Sequence, residues 1–161
     1  MADSKVESWK QSGNLYLWRY AHNTKNYPGW NLAAEETGWK SLFDLLGRMA
    51  ASPLACRREI SVLKPTSRIL AVPNNPAGSE GIESAQRLIL EVPRGTVRDR
   101  QWRLESDPKR VVLEVGPSKL AELHGAVGSM PSTGGDFAIG PDDQRTWKEK
   151  SLWLWLCDCH G

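Results

Sequence analysis

Along this chain, stretches in which apolar residues recur at every second position are separated by two in which they recur at every third or fourth. LYLWRYA (15–21) sets Tyr16, Trp18 and Tyr20 on one side of an extended segment, with Leu15, Leu17 and Arg19 on the other. RLILEV (87–92) points Leu88, Leu90 and Val92 one way and Arg87 and Glu91 the other, and KRVVLEV (109–115) repeats this with Val111, Leu113 and Val115. REISVLK (58–64), RILAVP (68–73) and QWRLES (101–106) add three more predicted strands, and DFAI (136–139) a short one. SDPK (106–109) suits a hairpin turn, and NNPAGSEGIESAQ (74–86) is expected to be a loop. Helical spacing follows the Pro28-Gly29 turn: Trp39, Leu42, Phe43, Leu46 and Met49 share a stripe, with Asn31 or Thr37 as the cap and Ser52-Pro53 as the stop. A second helix is predicted from Pro117, with Leu120, Leu123, His124 and Val127 on one face and Gly128 ending it.

The closing SLWLWLC (151–157) fits neither simple pattern. Leu152, Leu154 and Leu156 lie on one face and Trp153, Trp155 and Cys157 on the other, so neither side is polar. Such a strand lies centrally, covered on both sides, and is far too short to cross a bilayer. Clustered strands and two separate helices predict an α+β fold: a mainly antiparallel sheet of about five to seven strands with both helices on one face. Residues 1–13 are expected to be a flexible N-terminal segment apart from Trp9, and residues 14–161 a single α+β domain.

Composition narrows the class. With 161 residues, 40% hydrophobic and 25% charged, the chain can bury a proper core. The net charge is +2, divided unevenly: residues 56–110 carry 11 basic and 7 acidic groups, residues 111–161 carry 4 and 7. No global field argues for nucleic acid. Three cysteines do not form a secreted disulfide framework, and the polar start MADSKVESWKQSGN lacks the apolar stretch of a signal peptide, so a cytoplasmic chain that enters no membrane is expected.

Eight tryptophans are the most unusual feature. An indole-packed core accounts for most of them. An uncovered aromatic sheet face would instead mark a homodimer contact, another partner's surface or a ligand cleft, and Trp18, Trp153 and Trp155 are the candidates for it. His22, Tyr27 and Trp30 around the Pro28-Gly29 turn resemble the rim of a small-molecule pocket. Cys157, Cys159 and His160 are close enough to suggest metal, but Cys-x-Cys is not the usual zinc spacing, and a fourth ligand would have to come from Cys56, His22 or His124. No cofactor is expected. Arg94, Arg98, Arg100 and Arg103 around Trp102 could face phosphate, but Asp99, Glu105 and Asp107 dilute the charge, so nucleic acid is not the expected partner.

No phosphate loop, dinucleotide fingerprint, Gly-x-Ser-x-Gly or His-Glu-x-x-His is present. WRYAHNTKNYPGWNLAAEE (18–36), GDFAIG (135–140) and LWLWL resemble segments of small uncharacterised bacterial proteins, a group whose resemblance implies no activity. The sequence therefore favours a non-enzymatic binding protein that self-associates through an aromatic sheet face, with an inhibitor or immunity-type role as one version. The alternative is a small-molecule binder or small hydrolase with its pocket near His22, Tyr27 and Trp30.

Overall fold

The structure, a computed structural model, describes residues 5–21, 28–73, 81–95, 98–133 and 137–156. The fold is α+β, but its strands form two sheets rather than one. The first sheet has the order β4-β1-β2-β9-β8, built from β1 (Leu15–Tyr20), β2 (Trp30–Ala34), β4 (Ile82–Ser84), β8 (Phe137–Ile139) and β9 (Leu152–Leu156). The second has the order β3-β5-β7-β6, from β3 (Cys56–Ser61), β5 (Arg87–Val92), β6 (Trp102–Ser106) and β7 (Arg110–Val115). The helices are α1 (Glu36–Ala51), the one-turn α2 (Ser67–Leu70), α3 (Pro117–Thr133) and the one-turn α4 (Trp147–Lys150). Each sheet is mixed, because β2 pairs with β9 and β5 with β7 in parallel while the other pairings are antiparallel.

Besides the passages through α1 and α3, two segments link the sheets. Past β3, Leu63 donates its N–H to Leu15 and accepts from Leu17, tacking the second sheet to β1. Between β4 and β5 only the buried Ala85 and the exposed Gln86 intervene. Strands that change sheets at a bend make such corners.

The inner faces of both sheets share one core with α1 and α3. Leu15, Leu17, Leu32 and Leu154 meet Leu88, Leu90, Val111 and Leu113 there, with Trp39, Leu46, Leu123 and Val127 from the helices. As expected, β9 is interior, with β2 on one side and β8 on the other, and Leu152, Leu154 and Trp155 are buried.

Several expected elements differ. Residues 68–73 form no strand; Thr66 caps α2 by accepting the N–H of Ile69 through its hydroxyl. The expected loop 74–86 contains β4, and neither expected cap opens α1: Asn31 lies inside β2 and Thr37 inside the helix, whose N-cap is Glu35. α3 passes through Gly128 to Thr133. Gly128 serves packing there: a Cβ on it would come within 2.5 Å of the Phe43 ring. Phe43, expected in the core stripe, is 41% exposed and stacks on His124 with 4.1 Å between ring centroids. Within residues 5–13, Trp9 is buried and donates its indole N–H to the Ser41 carbonyl, and Gln11 exchanges two hydrogen bonds with the backbone of Ser61.

Candidate functional site

The residues singled out by the sequence separate onto the two faces of the first sheet. By strand alternation Trp18, Trp153 and Trp155 share a face with Tyr16, Tyr20, Asn31 and Ala33. This aromatic layer is interior for the most part. Trp18, Tyr20 and Trp155 pack with Ile69, Leu70 and Val72 of the α2 segment, leaving only Tyr16 and Trp153 half-buried. Asn31 lies fully buried within it, accepting the Trp155 indole N–H at 2.8 Å.

Trp30 points to the opposite face, where the strand register builds a row across three strands. Trp18 pairs with Asn31, so one step further Arg19 stands opposite Trp30, and Arg19 also pairs with Glu83. The Arg19 guanidinium lies 5.0 Å over the Trp30 ring and is bonded to Glu83. A cation over an indole is attracted by the ring quadrupole, and the carboxylate fixes its orientation. The β6–β7 turn closes over this row, giving a cleft of about 530 Å³ lined by Arg19, Trp30, Glu83, Ser84, Ser106, Asp107 and Pro108. That volume suits a small molecule. The turn is well fixed: the Asp107 carboxylate accepts the backbone N–H groups of Lys109 and Arg110, which hold its pKa below the usual carboxylate value. His22 and Tyr27, expected beside Trp30, lie outside the described residues.

A second cleft, of about 450 Å³, runs beside α3. Ala126, Phe137, Ile139, Pro141 and Trp147 form its apolar floor, and Lys119, Glu122 and Asp142 its charged end. Among the described residues Lys119 is the one charged residue that is buried. Its ammonium lies 3.0 Å from Asp142 and 3.3 Å from Glu122. Arg100 completes the ring with two bonds to Asp142, at 2.6 and 2.9 Å, and one to Glu122 at 3.2 Å. Hydrogen bonds from Arg100, then Lys119, hold the Asp142 carboxyl well below the usual range, and the Arg100 guanidinium is raised in return by Asp142 and Glu122.

Of the four arginines in the stretch, Arg98 is exposed and the other three are engaged within the chain. Arg94 donates to the Met49 carbonyl at the C-terminus of α1, Arg100 belongs to the ring, and Arg103 pairs with Glu105 at 2.9 Å. Cys157, Cys159 and His160 lie outside the described residues; among those described, no group of three or more His, Cys, Asp or Glu side chains is placed to hold a metal ion. Cys56 is half-buried, and burial pushes its thiol pKa up against the opposing charge of Arg94. Among the described residues, no helix is long and apolar enough to cross a membrane.

Sequence reasoning found Trp30 but missed its partners. Alternation places Arg19 opposite Trp18 across β1, but the strand that brings Arg19 to Trp30 reads as a turn and helix cap. The second cleft was missed because Lys119 and Asp142 are distant in sequence and unremarkable in type. Comparisons with family models, curated proteins and solved structures give no match for this chain.

Proposed function

We propose that the chain is a binding protein whose ligand is a small polar molecule held in the Trp30 cleft. The observation that carries this reading is the Trp30–Arg19–Glu83 row at the junction of the two sheets, closed over by the β6–β7 turn. Its walls carry recognition chemistry: an indole plane, a guanidinium, the carboxylates of Glu83 and Asp107, and the hydroxyls of Ser84 and Ser106. Convergent polar groups around an aromatic in a cleft of this size orient a ligand rich in hydroxyl and amine groups. Free amino acids, amino sugars and polyols make up the test panel. In ¹H–¹⁵N spectra, the Trp30 indole signal, assigned by Trp30→Phe, is expected to shift saturably with at least one of the three classes. Arg19→Ala should weaken that response at least about tenfold, as loss of a paired charge in a binding site does. A Trp30 signal that stays still across the whole panel contradicts the reading.

Self-association through the aromatic sheet face ranks second. Its anchor rings Trp18, Tyr20 and Trp155 are covered by the chain's own α2 segment, and Tyr16 and Trp153 alone remain partly open. Sedimentation velocity over a wide concentration range is expected to report a monomer; a dimer that Trp153→Ala dissociates would restore the aromatic-face reading.

A further inference from the structure

We propose that the cleft beside α3 is an anion site occupied by the chain's own Glu122, and that its ligand is a small carboxylate with a planar apolar body. The inference is independent of the Trp30 cleft. Glu122 gives one oxygen to each of two cations, Oε2 to Lys119 at 3.3 Å and Oε1 to Arg100 at 3.2 Å. Its carboxylate therefore occupies the position of a bridging anion. Asp142 is the firmer member of the ring, with three contacts between 2.6 and 3.0 Å, and it keeps Lys119 and Arg100 in place. The Glu122 side chain is 45% exposed, so on leaving its seat it is rehydrated at small cost, whereas Lys119, 6% exposed, has no such route.

The charge balance selects the ligand class. Arg100, Lys119, Asp142 and Glu122 sum to zero, and exchanging the Glu122 carboxylate for a monoanion keeps that sum. A phosphate dianion would leave excess negative charge beside Asp142. The seat is shaped for two oxygens on one planar carbon, the geometry that bridging cations favour. The floor supplies what Glu122 does not use: Ala126, Phe137, Ile139, Pro141 and Trp147 present apolar surface against which a ring gains by burial. An incoming aromatic carboxylate thus exchanges like for like at the charged end and adds apolar contact at the other.

Benzoate, phenyl phosphate and benzyl alcohol separate the possibilities. Binding is read by calorimetry and by Trp147 emission, with Trp147→Phe as the control for the signal's origin. Benzoate is expected to bind the wild-type chain weakly, and Glu122→Ala to tighten it by about tenfold, since the competing carboxylate is gone. Lys119→Met in the Glu122→Ala background should return the affinity to the wild-type level or below. A gain of affinity cannot arise from misfolding, and circular dichroism checks the Lys119→Met chain. The proposal is overturned if Glu122→Ala binds benzoate no better than wild type, or shows no binding at about 10 mM. It is equally overturned if benzyl alcohol matches benzoate, which would make the cleft merely apolar, or if phenyl phosphate binds more tightly, which would make the class wrong.

Discussion

Asn31 is the residue on which the aromatic layer is organised. Fully buried near the start of β2, it accepts the Trp155 indole N–H at 2.8 Å and directs its amide toward the carbonyls of Trp18 and Gly29. A buried amide is tolerated because these partners replace water, and removing one member leaves the other unsatisfied at a cost of about 1–3 kcal/mol. Asn31→Leu is therefore expected to lower stability by about 2 kcal/mol despite its added apolar volume, measured by urea unfolding. A second buried indole supplies an internal control. Trp18 is equally buried, but its Nε1 has no hydrogen-bond partner among the described residues. Trp18→Phe and Trp155→Phe delete the same atoms, so Trp155→Phe should cost about 1 kcal/mol more. Equal losses would mean that the Asn31 bond contributes nothing net.

The elements legible in the sequence are those whose two faces differ. β7 alternates between buried and more open positions, β5 does so except at the buried Ile89, and their predicted bounds lie within a residue of those observed. β9 was legible for the opposite reason, since an apolar run with no polar side demands cover on both faces. β2 was not legible: WNLAA is buried at every position, contains two alanines and an asparagine, and follows a Pro-Gly turn that suits a helix entry equally well. What makes it a strand is tertiary, namely antiparallel pairing with β1 and parallel pairing with β9. The two parallel pairings, one within each sheet, make both sheets mixed where an antiparallel one was expected. α1 carries a contact of the same hidden kind. Gly38, in its first turn, lies so close to Asn14 that an added Cβ would come within 2.5 Å of the Asn14 carbonyl oxygen, and Gly13 opposite has φ +73°. Alanine normally favours a helix over glycine by up to about 1 kcal/mol. Here Gly38→Ala should instead destabilise by at least about 1 kcal/mol, because backbone rather than a flexible side chain must move. A raised melting temperature would show that residues 12–14 are free to retreat.

At the scale of the molecule, two corners join the sheets, and the ion ring ties together what they leave loose: the approach to β6 at Arg100, α3 at Lys119 and Glu122, and the segment before α4 at Asp142. None of this was readable in the sequence, where the four residues are spread over more than forty positions and each is an ordinary solvent-side type. The ring has a defined pH signature. Because Arg100 and Lys119 hold the Asp142 carboxyl below its ordinary value, the native state favours its ionised form. Its contribution to stability is therefore complete above the unfolded-state pKa of about 3.9 and is lost as pH falls from there through the lower folded value. Asp142→Asn removes this contribution at every pH. The difference in urea midpoint between wild type and Asp142→Asn should be constant above about pH 5 and shrink progressively below about pH 4. Asp107, also depressed, titrates in both chains and cancels from that difference. A gap that persisted unchanged into strong acid would mean that Asp142 acts through its shape and hydrogen bonding rather than its charge. The Glu122 seat would then lose the fixed frame of cations on which the exchange of carboxylates depends.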